Sequence, residues 1–314
     1  AMIARRGKSL LEAVTCMERA LALDPEYGLA WAGIAEAHVI LGVFGLITPE
    51  LARSRAVPAA EKAVQFAPDL GDAHCALGIA MLMFDYEDRP RAARAFDRGM
   101  ALDPAAQGAT WYYLYYVAGL CGSHQESEAG MRGLIARDEL SAYLHGLFAI
   151  LLAVQRRSEA TDSATLALGL APDAFLSHYA QQSAAAGVGD WTRCLSAGDA
   201  LFALAGRTPA PLQYHAIAYI MTGDVAGARA VQAELEVLTN HGERAPWVLA
   251  CVAAALGEVE RAVTLARSAI RRRDPGVFAL PGGEAERALR SLDVWPELES
   301  AMRLPTSGAV GRTK

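Results

Sequence analysis

The residues of this chain that could do chemistry are seven histidines, five cysteines and a few runs of carboxylates. The histidines are His38, His74, His124, His145, His178, His215 and His241. None sits in HExxH or in a close Cys/His cluster, so no metal site is expected. His38, His74, His178 and His215 fall where helix-packing side chains are expected. Cys16, Cys75, Cys121, Cys194 and Cys251 are scattered, form no CxxC and are odd in number. A closed disulfide framework is disfavoured and a reducing cytoplasm is the expected setting. No G-x-S-x-G is present, and no cysteine stands in a catalytic context. Gly7-Lys8-Ser9 echoes the end of a phosphate loop, but Met2 stands where the leading Gly is required, and Ser9 reads as a helix N-cap. Asp85, Glu87 and Asp88 read as a solvated turn, and Gly282-Gly283 after Pro281 as another. The expectation is a chain without catalytic residues, cofactor or metal, and not an enzyme.

One cluster points to binding instead. Trp111-Tyr112-Tyr113-Leu114-Tyr115-Tyr116 packs five aromatics into six residues, in a chain with 7% aromatics. On a helix, successive residues rotate by about 100°, so these rings must divide between faces. Aromatic side chains with polar tips are favoured anchors at interfaces.

The elements that position them follow a period. Gly189, Gly223 and Gly257 recur every 34 residues, as do the small residues Ala160, Cys194, Ala228 and Ala262. Pro104 and Pro172 are 68 apart, twice that interval. Such a unit holds two short helices and two turns. Gly ends the first helix, the small residue lets the helix axes approach, and Pro ends the second. Two departures stand out. Pro25 to Pro68 is 43 residues, with nine extra placed around Val43 to Glu50; Pro68 to Pro104 is 36, with an extra pair in Phe84-Asp85-Tyr86. Gly42 is expected to end the helix that precedes the first insertion.

These residues resemble the tetratricopeptide repeat family, with its W-x2-L-G-x2-Y, A-x3-F and P pattern. The resemblance runs through Ala13, Met17, Ala20 and Leu23-Asp24-Pro25, then Trp31, Ile34, Ala35 and His38, then Leu77-Gly78, Ala92, Phe96 and Leu102-Asp103-Pro104. Gln181-Gln182 depart from the usual Leu-Gly, and Glu139 stands where a Pro is expected. The resemblance covers roughly residues 8 to 275. It implies an all-α fold: a right-handed superhelix, or α-solenoid, of about seven stacked antiparallel helix pairs with a C-terminal capping helix. The expected parts are a partial repeat over 1–26, the array over 27–275, the cap over 276–304 and a disordered tail over 305–314. The tail segment Arg271-Arg272-Arg273-Asp274-Pro275, Ala288-Leu289-Arg290-Ser291-Leu292, Trp295 and Leu298 is similar to the end of tetratricopeptide regions in bacterial cyclase-, kinase- or winged-helix-linked regulatory proteins. With residues 8–24 lacking a first-helix partner, an excised C-terminal region is expected.

Aligned to that pattern, Tyr113 and Val117 face the core, while Trp111, Tyr112 and Tyr115 face the concave side. Cys75 occupies the matching position one unit earlier, and His145 and Tyr179 lie one and two units later. The expected partner site is thus a stripe of Trp111, Tyr112, Tyr115, His145 and Tyr179. Its positions, with Ala32, Glu36, Ile79 and Ala149, hold no Lys, Arg or Asn, so the carboxylate clamp of chaperone-tail binders is absent.

Composition bounds the partners. Net charge is −6 and Lys occurs three times, with Arg5-Arg6 and Arg271-Arg272-Arg273 the basic clusters. Phosphate recognition needs more clustered cations, so nucleic acid through this chain is not expected. No run of 18 apolar residues is present, so no membrane span is expected. The expected function is a protein-interaction scaffold taking a protein or peptide on its concave face, with a small-molecule sensor as the alternative. An unpaired front helix also allows a homo-oligomer.

Overall fold

The computed structural model describes residues 7–278 and 286–302. Among them every regular element is helical. A lone helix α1 (Gly7–Leu23) precedes seven antiparallel pairs. These are α2 (Gly28–Val43) with α3 (Pro49–Phe66), and α4 (Gly71–Phe84) with α5 (Arg89–Leu102). Next comes α6 (Ala109–Trp111), continuing as a π-helix over Tyr112–Leu120, with α7 (His124–Ile135). The rest are α8 (Ala142–Val154) with α9 (Glu159–Leu170), α10 (Phe175–Val188) with α11 (Trp191–Ala205), α12 (Pro209–Met221) with α13 (Val225–Leu238), and α14 (Pro246–Ala255) with α15 (Val259–Arg272). A 3-10 turn (Pro275–Phe278), α16 (Arg287–Arg290) and α17 (Trp295–Ala301) cover the last pair. First helices stack on first helices, which makes an α-solenoid. Arg5-Arg6, Gly282-Gly283 and the tail over 305–314 lie outside the described residues, and Ser9 lies inside α1 instead of capping it.

The period has the physical basis its spacing suggested. Gly189, Gly223 and Gly257 all adopt left-handed backbone angles, and each closes its helix with paired backbone bonds such as Gly189 N–H to the Ala186 carbonyl and Asp190 N–H to that of Ala185. Asp190 and Asp224 then cap the next helix through their side chains. Ala160, Cys194, Ala228 and Ala262 are all fully buried. In the α8 unit the left-handed cap is Arg156, at φ 57°. A side chain there costs about 1 kcal/mol. Arg156→Gly should therefore raise stability by about 1 kcal/mol, read as a higher urea midpoint at unchanged slope.

Gly42 differs from expectation: it lies within α2, and the left-handed cap is Gly45 at φ 68°. Both glycines are needed for contact with the far end of the chain. A Cβ on Gly42 would meet the Pro275 ring at 2.9 Å, and one on Gly45 would meet the Ala245 Cβ at 2.7 Å. The solenoid closes on itself. One apolar cluster joins Leu10 through Phe96 to Trp247 through Met302. Tyr86 and Phe278 meet edge to face at 4.9 Å, and Arg89 lies over both rings. Glu50 forms a two-pronged pair with Arg272, and Glu87 pairs with Arg273 at 2.8 Å.

Candidate functional site

The nine-residue insertion crosses the inside of the ring. Phe44, just beyond α2, sets its ring edge against Phe175 at 5.2 Å and against Tyr179 at 5.3 Å, both on α10. Gly45 reaches the start of α12 at Pro209. The inner surface is therefore not an open trough. It is a short aromatic interior bounded by the chain's own loop.

Tyr115, Tyr143, Tyr179 and Tyr214 line that interior. Each keeps some accessible surface, yet burial pushes each phenol above its ordinary range. Side chains facing an internal space combine these properties. Trp111 stacks on Tyr115 at 5.5 Å, and Tyr179 meets Tyr214 edge to face at 5.9 Å. Tyr143 Oη lies 3.3 Å from Thr110 Oγ1. At one end the Trp111 indole N–H donates to Glu36 Oε1 at 3.1 Å. Burial, with the like charge of Asp72 behind it, pushes the Glu36 carboxyl up to about 8.

The structure sorts the five stripe residues. Trp111, Tyr115 and Tyr179 share the interior. Tyr112 turns the other way, to Phe96, Tyr113 and Tyr116. His145 is buried, and its Nε2–H donates to the Glu139 carbonyl at 2.9 Å. His145 is the counterpart of His178, not of Tyr179, because the caps Arg156 and Gly189 lie 33 residues apart, one short of the period. The same bond recurs from Trp31 to Pro25, from His74 to Pro68 and from His178 to Pro172. These rings staple α2, α4, α8 and α10 to the end of the helix before each. Tyr113, expected in the core, packs over Gly130.

Tyr143, Tyr214, Phe44 and Phe175 were not legible as residues of this interior. The π-helix is one reason: its hydrogen bonds span five residues, as from Cys121 N–H to the Tyr116 carbonyl, so spacing rules for an α-helix lose phase across it. Phe44 carries no periodic signal at all, since it lies in the insertion.

Other reactive groups are sealed or paired. Burial pushes the thiols of Cys75 and Cys194 up to about 12 and that of Cys251 well above its ordinary range, far from a nucleophilic thiolate. His215 Nε2 faces Asp199 at 3.2 Å and its Nδ1 faces Gln182 at 3.1 Å. That imidazole is 2% exposed, out of reach of a substrate. Asp85 and Asp88 cap backbone N–H groups. Among the described residues no group of three or more metal-ligating side chains comes together, and no helix is long and apolar enough to cross a membrane.

No family model matches the chain, and no curated protein matches it. Among solved structures, a human IFIT1 dimer with PPP-AAAA aligns at a TM-score of 0.55 and 17% identity, over 84% of this chain and 69% of that one. A human IFIT1 dimer with m7Gppp-AAAA aligns at 0.55 and 16%, over 84% and 68%. Yeast Tom70 aligns at 0.47 and 16%, over 94% and 59%. At such identities the likeness concerns the fold, which is an all-α, tetratricopeptide-like helical-repeat solenoid.

Proposed function

We propose that this chain is a non-catalytic binding module that holds a small ligand inside its closed ring, with Trp111, Tyr115 and Tyr179 among the contacts. The observation that carries the proposal is Phe44 seated on Phe175 and Tyr179. A peptide laid along the inner face would have to displace it, whereas a small molecule would not have to span the loop. Apolar interiors with a few polar groups are the usual form of small-ligand sites. Binding to the native state alone raises the melting point. A thermal-shift screen with metabolites should yield a compound that stabilises the intact chain, and Tyr115→Ala should cancel its shift. Trp111 is a poorer probe: it is 6% exposed, and truncating it costs about 3–5 kcal/mol of folding stability. A screen without a single stabilising compound would sink the proposal.

A second reading concerns a partner protein on the outer surface. A groove of about 580 Å³ between α7, α8 and α9 is lined by Ile135, Leu140, Phe148 and Leu166, with Arg132 and Asp162 at its rim. This supports an assembly role, and the tail resemblance supports the regulatory region of a bacterial signalling or transcription protein as its setting. The absence of nucleic-acid binding gets no support from the fold, whose matches include the IFIT1 structure with PPP-AAAA. Of the Arg271-Arg272-Arg273 block, two members are engaged in ion pairs across the ring closure. Oligonucleotides therefore belong in the same screen.

A further inference from the structure

The end of the interior around Glu36 has one charge sign. Glu36 sits on α2 and Asp72 on α4, and Asp72 is the charged group that bears on Glu36. Asp72 Oδ1 already accepts the Gly108 N–H at 2.9 Å. Glu36 Oε1 accepts from Trp111, and among the described residues nothing donates to Oε2. Among the described residues no guanidinium or ammonium group compensates this carboxyl, although arginines are paired on the outer surface. The neighbouring walls are aromatic: the Trp111 ring stacked on Tyr115, and Tyr143 close enough to feel both Glu36 and Tyr115. Among the described residues the Tyr115 hydroxyl has no hydrogen-bond partner.

We propose that the space bounded by Glu36, Trp111, Tyr115 and Tyr143 binds a small organic cation with a substituted ammonium head. Aromatic faces attract such cations through the ring quadrupole, most strongly for Trp and then Tyr, and more so when water is excluded. The free carboxylate oxygen supplies the countercharge. An anion would meet two carboxylates and no cation. A bare ammonium ion carries more N–H donors than the free Glu36 oxygen and the tyrosine hydroxyls can accept among ring faces; an alkylated head needs none of them met. The inference rests on the ring interior being a small-ligand site, and it names the class of ligand.

Choline and its neutral isostere 3,3-dimethyl-1-butanol separate charge from shape. Thermal melting of the intact chain should rise by about 2 °C or more with millimolar choline and stay unchanged with the isostere. Glu36→Gln keeps an acceptor for the Trp111 indole but removes the charge, and it should abolish the choline shift. Should that variant fail to fold, the wild type carries the test through pH. Glu36 is faced by Asp72 and Cys75 from α4, by Trp111 from α6, with Tyr115 stacked behind it, and by Tyr143 from α8. A cation requires the carboxylate, so choline affinity should climb by up to tenfold per unit as pH rises towards 8 and then level off. Equal shifts from choline and the isostere, or a choline affinity independent of pH, would overturn the cation assignment. If other metabolites stabilise the chain while choline does not, the cation class fails and the small-ligand site stands. If nothing stabilises it, both fail.

Discussion

Phe278→Ala should unfasten helices at the opposite end of the chain. Phe278 is 3% exposed, and its ring edge lies on Tyr86, itself 1% exposed, under the Arg89 guanidinium. Truncating a buried Phe costs about 3–5 kcal/mol. In an open repeat array that loss is confined to neighbouring units, since each repeat touches only the next. Here the cap and the first pairs share one apolar cluster. Amide protection should therefore fall in α2 and α4 as well as in α14 and α15. Protection lost only in α14 to α17 would show that the ring does not close. The ion pairs contribute less than the rings. Glu50 and Glu87 are largely exposed, and such pairs are worth about 0–1 kcal/mol each. The closure should accordingly survive high salt.

The unit of this fold was legible because its causes are local. A left-handed glycine, a capping Asp just after it and a small residue at each helix crossing all lie within one hairpin, so they repeat wherever the hairpin repeats. The closure was not legible, because its partners, such as the ion pairs 186 and 222 residues apart, follow no period. Yet both departures from the period serve it. The insertion over Val43 to Glu50 delivers Phe44 to Phe175 and Glu50 to Arg272, and the pair added near Asp85 delivers Tyr86 to Phe278. The make-up of the aromatic interior was half legible for the same reason. Trp111, Tyr115 and Tyr179 follow from counting, whereas a cap interval of 33 hands His145 to a staple, and the π-helix swings Tyr112 outward.

Glu36→Gln should make the protein more stable, and by a margin that depends on pH. The wild-type carboxyl titrates near 8 in the folded chain and near 4.5 when solvated. Below about pH 4.5 it is protonated in both states and costs nothing extra. Between about 4.5 and 8 the folded chain keeps the proton that the unfolded chain releases, so stability falls as pH rises, by about 1.4 kcal/mol per unit. Above 8 the loss levels off at roughly 5 kcal/mol. Asp274, pushed by burial up to about 6, adds a slope of the same sign between about pH 4 and 6 in both proteins. Glu36→Gln should therefore match the wild type in urea near pH 4.5 and exceed it by several kcal/mol at pH 9. Equal midpoints at pH 9 would mean that water or a chain cation already solvates Glu36. A carboxyl that weakens its own fold so strongly is hard to explain as packing, since a Gln would donate and accept in the same space without the charge. Its cost would be offset by a positive group seated beside it, which is what the proposed ligand supplies.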